Sequence, residues 1–391
     1  MTGSNAFDPA SFVEEKVEEI RVLVGSGRAA IATSGGVDST ACASLAHRAL
    51  GGKLICFFMD TGFMREGEVG EVVKLLSLLN LPMKVISAKD RFLKDLEGKA
   101  DAEAKRLAFR QTFYTLLGEA AREEGCDVLI QGTIAPDWIE TSGGIKTQHN
   151  VLEQLGVDTK KTFGFRLLEP LLDLYKDQVR ALAEYLGANV EASQRQPFPG
   201  PGLLVRCIGE VNEGKVEALR VATKVVEEEL GKLSPAPKQY LAAIVEDDRV
   251  PAKEGAKESV SGVLKGAKVE YFKGLATGVK GDNRAYGKMA LVSGEAREPS
   301  EIFDLPEKIV HNDGEVVRVL YNIHARMPAT KTGKYAVIVR SVETRDFMTV
   351  KPTPVPLKLL KRIAERVLEE DSVSRVCYDL TSKPPATVEY E

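Results

Sequence analysis

The stretch Ala30-Ile31-Ala32-Thr33-Ser34-Gly35-Gly36-Val37-Asp38-Ser39-Thr40 joins a short apolar run directly to a predicted helix. Residues 29–32 are typical of a buried parallel strand, and residues 40–50 have the apolar spacing of a helix. A strand that turns at once into a helix N-terminus points several backbone N–H groups at one place. The positive end of the helix dipole lies there too. The stretch therefore predicts a site for phosphate groups.

The residues of this loop indicate what kind of phosphate site it forms. Gly35 and Gly36 let the backbone approach oxygen atoms closely, and the hydroxyls of Ser34, Ser39 and Thr40 add donors. No Gly-Lys-Ser/Thr follows at the Walker A spacing, and an ordinary glycine turn before a helix is the plain alternative. The string Ser-Gly-Gly-x-Asp-Ser instead resembles the pyrophosphate loop of ATP pyrophosphatases. The loop favours an adenylating enzyme.

Composition limits the class of protein. A chain of 391 residues suggests two or three domains. A net charge of −4 and a pI of about 5.9 predict no broad basic surface and no nucleic-acid partner, which counts against a tRNA-modifying enzyme. No apolar run approaches the ~20 residues of a membrane span, and the first residues lack a secretory signal. Five scattered cysteines with no Cys-x-x-Cys pair are typical of reduced thiols in a cytoplasmic protein.

Strands and helices alternate along the first half of the chain. This alternation, with a phosphate turn after the first strand, predicts a doubly wound parallel sheet of the α/β class. In such sheets ligands lie at the carboxyl ends of strands, so Asp60 is expected near a nucleotide, and the turn that contains Gly132 is expected at the same rim of the sheet. For Asp60 the alternative is a cap on the next helix. The predicted strands lie at 54–59, 83–86 and 128–130, and residues 167–171 begin a fifth strand or a turn. The predicted helices lie at 12–24, 69–79 and 176–186, and the charged segment 100–124 becomes helical along its length.

The second half begins at a proline-rich crossing, residues 197–202. Three prolines and two glycines exclude regular structure there, so we place a domain boundary at this point. The first domain is predicted at 1–202 and a smaller α+β domain at 203–391, with a tail that is held in place. The Gly- and Lys-rich residues 141–165 are predicted to form a lid. Further predicted elements are strands at 203–206, 316–320, 336–340 and 373–379, and helices at 213–230, 239–245 and 357–368.

Several motifs beyond the phosphate loop are particular to one family. With them, the chain closely resembles the ATP-pyrophosphatase and C-terminal parts of GMP synthetase over nearly its whole length. The resemblance implies an adenine nucleotide α-hydrolase-like fold. The motifs are Asp60-Thr61-Gly62-Phe63-Met64-Arg65, Gln131-Gly132-Thr133, Phe198-Pro199-Gly200-Pro201-Gly202, Gly281-Asp282-Asn283-Arg284, Asp346-Phe347-Met348-Thr349 and Lys383-Pro384-Pro385.

The resemblance implies a reaction and its residues. ATP adenylates the C2 oxygen of xanthosine monophosphate (XMP) and releases pyrophosphate, and ammonia then displaces AMP to give GMP. The resemblance implies that Asp38 and Lys383 are catalytic. It also implies that the Asp38 carboxylate faces the Mg²⁺ that accompanies ATP. Without the resemblance, each residue of the XMP set would more often be a surface charge. The ATP set is Ser34, Gly35, Gly36, Val37, Asp38, Ser39, Thr40, Asp60 and Gly132. The XMP set is Arg106, Asp282, Arg326, Lys383 and Glu389.

The chain also departs from the family pattern. Thr61 and Gln196 stand where the family usually has Asn and His, and a segment at about 287–334 is longer than in the short bacterial form. No histidine has a glutamate two positions later, as a class I glutaminase requires. Ammonia is therefore expected from a separate class I glutaminase subunit or from solution, and the chain is expected to form a homodimer. The open alternatives are an NAD synthetase-like or tRNA-modifying pyrophosphatase and a nucleotide-binding module without catalysis.

Overall fold

The chain divides into two compact units. The first comprises Met1–Gly62, Gly67–Asp95 and Arg106–Arg195, and the second Phe63–Glu66, Leu96–Lys105 and Gln196–Glu391. Two short segments of the N-terminal half therefore fold with the second unit. The boundary at residue 202 stays a prediction. A computed structural model describes residues 7–136, 159–188, 196, 198–261, 263–280, 283–296, 298–326, 333–344 and 348–391.

The first unit is built on a five-stranded sheet in the order β3-β2-β1-β4-β5. All its neighbouring strands run parallel, which confirms the predicted doubly wound parallel sheet. The central strand β1 carries Ala29, Ala30 and Ile31, none of which is exposed. The strands are Arg28–Ala32 (β1), Leu54–Asp60 (β2), Met83–Ser87 (β3), Cys126–Ile130 (β4) and Arg166–Leu168 (β5).

Helices connect these strands. The first helix begins after Asp8, whose side chain accepts hydrogen bonds from two backbone N–H groups, and it buries Val13, Val17 and Ile20. No helix among the described residues is long and apolar enough to cross a membrane. The helices are Pro9–Val24 (α1), Val37–Leu50 (α2), Glu68–Leu78 (α3), Lys89–Leu96 (α4), Ala102–Glu123 (α5), Thr159–Phe163 (α6) and Lys176–Tyr185 (α7).

The second unit is built on a mixed sheet of eight strands. Seven follow the order β12-β11-β13-β10-β9-β8-β7, and β6 pairs with β11. The strands are Gln239–Glu246 (β6), Arg249–Pro251 (β7), Lys265–Lys280 (β8), Asn283–Glu295 (β9), Val316–Ala325 (β10), Tyr335–Glu343 (β11), Lys351–Pro352 (β12) and Val373–Asp379 (β13). The helices are Glu213–Leu230 (α8), Glu254–Glu258 (α9), Leu305–Asn312 (α10) and Leu357–Val367 (α11).

The long segment predicted at about 287–334 has a simple architecture where it is described. Strand β9 pairs with β10 in parallel, so the chain between them must cross from one end of the sheet to the other. Helix α10 lies in this crossover. The expansion is thus a strand–helix–strand unit inside the second sheet.

Two predicted elements in the second unit are wrong. Residues 203–206 form part of a 3-10 helix, Gly202–Arg206, rather than a strand. Residues 239–245 form strand β6, which pairs antiparallel with β11, rather than a helix. Gln239 to Val245 are buried on both faces of the strand, and a continuous apolar run does not distinguish a buried strand from a buried helix.

The proline crossing packs against the segment that follows Asp60. Gly202 has φ +64°, and a Cβ placed on it would lie 2.3 Å from the carbonyl oxygen of Phe63. Leu203 N donates to that same oxygen at 2.8 Å. Only glycine therefore fits position 202, because both its backbone conformation and its neighbour exclude a side chain.

We expect Gly202→Ala to destabilise the protein by about 2–3 kcal/mol, since alanine adds a left-handed strain to a backbone clash. Gly266→Ala is the matched control: its φ is +70° and nothing lies within 4 Å of the added Cβ. The control should cost only about 1 kcal/mol. Thermal unfolding of both variants measures the difference, and equal midpoints would contradict the clash.

The C-terminal tail is held in place, as predicted. Thr277 N donates to Tyr390 O at 2.8 Å, and Val279 N donates to Pro385 O at 2.7 Å. Tyr390 is fully buried, and it joins the apolar core formed by strands β6, β8, β9, β10, β11 and β13. The tail is therefore an integral part of the second unit.

Candidate functional site

The predicted phosphate loop lies at the carboxyl end of the central strand of the first sheet. Ser39 Oγ accepts from Ser34 N at 3.2 Å and donates to Gly36 O at 3.1 Å. Gly36 caps helix α2 with its backbone. The loop is therefore closed on itself by its own hydroxyls, with the N-terminus of α2 at its centre. This is an arrangement that suits an anion.

Two glycines allow close contacts at this loop. Gly35 has φ +74°, and a Cβ on it would lie 2.7 Å from Val72 Cγ2 of α3. A Cβ on Gly132 would lie 3.1 Å from the carbonyl oxygen of Asp38, at the first turn of α2. The turn after β4 thus packs directly against the first turn of α2, and a contact of Gly132 with a nucleotide stays a prediction.

The position of the loop in the sheet is that of a ligand site. Strand β1 has β2 on one side and β4 on the other, so the strand order reverses between β1 and β4. Open α/β sheets bind ligands at the carboxyl ends of strands where the order reverses. The phosphate loop follows β1, and Gln131-Gly132-Thr133 follows β4, so both motifs lie at this point.

The turn after β4 is fixed by a polar network. Gln131 Oε1 accepts from the Tyr114 hydroxyl at 3.0 Å, and Gln131 Nε2 donates to Thr133 Oγ1 at 2.8 Å. Thr133 Oγ1 in turn donates to the Glu169 carboxylate, which follows β5. Burial and the charge of Glu169 raise the pKa of Tyr114, so its hydroxyl stays protonated as a donor. The network keeps Glu169 at the rim of the sheet.

Lys176 is a residue at this site that the sequence did not single out. It begins helix α7, and its ammonium group forms an ion pair with the Asp38 carboxylate in the first turn of α2. Both side chains are partly exposed, at 56% for Lys176 and 26% for Asp38. The pair places a partly exposed cation next to the phosphate loop.

Asp60 ends strand β2, next to the central strand. Its Oδ1 accepts from Gly62 N at 3.0 Å, which shapes the turn after the strand. The alternative role as a helix cap is wrong, because Gly67 caps the following helix α3. Asp60 thus lies at the carboxyl end of a strand, half-buried, with its second oxygen outside this turn.

The residues predicted for XMP lie in different parts of the chain. Arg106 lies on α5 in the first unit, whereas Arg326, Lys383 and Glu389 lie in the second unit. Asp282 lies outside the described residues, as does most of the predicted lid at 141–165. The backbone of Lys383 pairs with Val350 next to β12.

Arg326 binds backbone carbonyl groups of the second unit. Its Nε donates to Val373 O at 2.9 Å, and its Nη2 donates to Glu370 O at 3.0 Å and to Leu368 O. These carbonyls follow helix α11, whose C-terminus attracts a cation. A contact of Arg326 with XMP stays a prediction, and it would have to use the donor capacity left on Nη1.

Two carboxylates of the first unit are of the kind that binds magnesium at nucleotide sites. The described residues contain no group of three or more His, Cys, Asp or Glu side chains that could hold a metal ion. Mg²⁺ at nucleotide sites is usually held by one or two carboxylates, phosphates and water. Asp38 beside the loop and Asp60 on the neighbouring strand end supply carboxylates of this kind. These two carboxylates fit an ion that is brought by ATP.

The cysteines are inert thiols. All five are buried and free. Burial raises the pKa of Cys207 to about 11 and the pKa of Cys56 and Cys377 to about 12. Thiols with such pKa values stay protonated at neutral pH, so none of these three is a ready nucleophile.

Comparison with known proteins identifies the family. Residues 9–191 match the PP-loop domain, and residues 330–390 match the GMP synthase C terminal domain. One subunit of the glutamine-hydrolyzing GMP synthase of Sulfurisphaera tokodaii is 46% identical over 99% of this chain and 100% of its own length. The chain belongs to the GMP synthase family.

Two further relatives, also named as single subunits of glutamine-hydrolyzing GMP synthases, support this assignment. The protein of Saccharolobus solfataricus is 42% identical and that of Archaeoglobus fulgidus 40% identical, each over 98% of this chain and 100% of its own length. Among solved structures, an ammonia-dependent NAD synthetase from Campylobacter jejuni is 24% identical over 48% of this chain and 76% of that chain, with a TM-score of 0.38. Membership of the GMP synthase family rests on the two matching domains and on these full-length relatives.

Proposed function

We infer that this chain synthesises GMP as the ATP-pyrophosphatase subunit of a GMP synthase, a ligase that forms a C–N bond. ATP adenylates the C2 oxygen of XMP with release of pyrophosphate, and ammonia then displaces AMP. The observation that carries this function is the closed phosphate loop at the strand-order reversal, in a chain that matches GMP synthase subunits from end to end. An amide-like oxygen leaves readily only after it carries an adenylyl group, which explains why ATP is consumed.

The phosphate loop is proposed to bind the β- and γ-phosphates of ATP. The backbone at the start of α2 and the Ser34, Ser39 and Thr40 hydroxyls provide donors, and Gly35, Gly36 and Val37 form the loop between them. Thr40 supports this role, because its Oγ1 is buried without a hydrogen-bond partner. Asp60 and Gly132, at the neighbouring strand ends, are proposed to border the nucleotide.

Two charged side chains are proposed to assist pyrophosphate as it leaves. Asp38 would hold the Mg²⁺ that accompanies ATP, together with Asp60 at the end of β2, the strand next to β1. Bound there, the ion would neutralise charge on the phosphates. Lys176 would turn from Asp38 to the phosphate oxygens once that carboxylate is occupied, because its side chain is largely exposed to solvent.

The nucleotide acceptor is proposed to bind through charged side chains. Arg106 and Lys383 suit a monophosphate group, and Asp282 and Glu389 suit donors of the sugar or base. Lys383 is also proposed to act in catalysis. The support is the match of the C-terminal domain, which includes Lys383 and Glu389.

The source of ammonia is proposed to be a separate class I glutaminase subunit, with free ammonia as the substitute in vitro. The relatives are each named as one subunit of a glutamine-hydrolyzing enzyme, which supports this division. We also propose that the chain acts as a cytoplasmic homodimer; five free buried thiols suit a reducing compartment.

The function is tested by pyrophosphate release with ATP, Mg²⁺ and ammonium chloride. We expect release with XMP, matched by GMP formation, and none with inosine monophosphate or nicotinate adenine dinucleotide. Release with nicotinate adenine dinucleotide alone would support an NAD synthetase instead, and ATP binding without release would support a non-catalytic module. Glutamate release from glutamine by this chain alone would contradict the proposed separate glutaminase.

A further inference from the structure

Arg206 is a buried cation that binds one carboxylate of the tail. Its Nε donates to Glu389 Oε2 and its Nη2 to Glu389 Oε1, both at 2.9 Å. Arg206 is fully buried, whereas the Glu389 side chain keeps 24% of its surface exposed. A two-bond contact of this kind fixes the direction of the carboxylate. Each of its oxygens still has a lone pair for another donor.

The guanidinium group of Arg206 is itself held in place by the proline crossing. Arg206 ends the 3-10 helix that starts at Gly202, and its Cζ lies 5.2 Å from the centre of the Phe198 ring. The same ring lies 4.2 Å from Arg65 Cζ, and Arg65 Nε pairs with Glu227 at 2.8 Å. The Phe198 ring of the proline crossing therefore lies against the guanidinium groups of both Arg206 and Arg65.

The backbone of the tail around Glu389 is fixed without Arg206. Arg318 Nη2 donates to Glu389 O at 2.6 Å. On the C-terminal side, Glu391 N donates to Val205 O at 3.0 Å, and Lys105 forms an ion pair with the buried Glu391 carboxylate. The bond between Arg206 and Glu389 thus constrains a side chain and is not needed to hold the chain path.

We propose that Arg206 is a positioning residue for nucleotide binding, which presets the Glu389 carboxylate to accept a hydrogen bond from a hydroxyl or N–H group of a purine nucleoside monophosphate. This rests on the proposed function, in which Glu389 contacts XMP. Arg206 also offsets the charge of that carboxylate. An unpaired carboxylate would repel an anionic nucleotide.

Steady-state kinetics of Arg206→Lys, Glu389→Gln and the double variant test the inference. Lysine keeps the charge but lacks the two-pronged donor geometry of arginine. We expect each single variant to raise KM for XMP about tenfold, the effect of one charge-assisted hydrogen bond. KM for ATP and kcat should stay within about twofold. The double variant should be no worse than Glu389→Gln alone, because Arg206 acts through Glu389. An unchanged KM in Arg206→Lys, or effects that multiply, would overturn the proposal.

Two further variants serve as a control and as a substitute in this test. Arg375→Lys alters another largely buried arginine, whose carboxylate partner is Asp247, and should leave KM for XMP unchanged. Glu389→Asp shortens a partly exposed side chain and replaces Arg206→Lys if that variant does not fold. It should raise KM for XMP as Glu389→Gln does, and a wild-type value would overturn the proposal.

Failure of the inference is distinguishable from failure of the proposed function. If the unaltered protein makes GMP while Glu389→Gln keeps its KM for XMP, only the positioning role is overturned. If the unaltered protein makes no GMP from XMP, the proposed function fails, and the inference fails with it.

Discussion

Lys176→Met is expected to lower kcat for pyrophosphate release by about 10²–10³-fold, with little change in stability. The Lys176 ammonium group forms an ion pair with Asp38 beside the phosphate loop, and we propose that it meets the charge that develops on pyrophosphate. A single donor or cation aimed at developing charge is typically worth this much in kcat. Pyrophosphate release with saturating ATP, XMP and ammonium chloride measures the loss.

The chain offers a matched control for this prediction. Lys84 on β3 is 57% exposed and also forms an ion pair, with Glu124. Lys84→Met should keep the wild-type rate. Lys84 lies near the start of β3, and β2 separates β3 from β1, which carries the phosphate loop at its carboxyl end. If both variants keep full kcat, Lys176 only neutralises Asp38. Asp38→Asn should instead raise the Mg²⁺ concentration needed for half the maximal rate, and Lys176→Met should not.

The first unit could be predicted from the sequence because its signals are local. Its strands are short apolar runs that end at polar turns, and the phosphate loop follows one of them. The contribution of Lys176 could not be found in this way. It meets Asp38 across 138 residues of sequence, and only the packing of α7 brings the two side chains together.

The second unit gave weaker local signals. Strand β6 is apolar on both faces and has no alternation to separate it from a helix. The long hairpin of β8 and β9 contains several glycines, which interrupt the alternation of apolar and polar side chains that is typical of a strand. Its ion pairs join distant segments: Arg206 and Glu389 are 183 residues apart. The segments Phe63–Glu66 and Leu96–Lys105 belong to this unit, and no feature of composition marks them.

A buried charge cluster explains why the tail is so firmly held. Asp379 Oδ2 accepts from Arg318 Nη1 at 2.8 Å, from Arg340 Nη1 at 2.7 Å and from the Tyr390 hydroxyl at 2.6 Å. The Asp379 and Arg318 side chains are fully buried. One carboxylate therefore serves two guanidinium groups, and the Arg318 guanidinium in turn binds the tail at Thr387 and Glu389.

Asp379→Asn is expected to destabilise the protein by about 3–5 kcal/mol, because it leaves two buried guanidinium groups without a counter-charge. The melting midpoint should fall by about 10 °C. Asp371→Asn is the control: its side chain is 86% exposed and lies 3.5 Å from Arg326, so its loss should cost under about 1 kcal/mol. Equal midpoints for the two variants would show that the buried carboxylate is not needed.

The same cluster predicts a dependence of stability on pH. Burial opposes the charged form of Asp379, but the charges of Arg340 and Arg318 and the bonds from Tyr390 and Thr381 outweigh it, so the pKa of Asp379 is lowered. Its carboxylate therefore stabilises the folded state fully at pH values above the pKa of an aspartate in the unfolded chain, which is about 3.9. That contribution is lost as the pH falls through the lower pKa of the folded state. Melting midpoints between neutral and acidic pH should fall less steeply in Asp379→Asn than in the unaltered protein, since the variant has no such proton to gain. Parallel curves would place the acid sensitivity in other carboxylates.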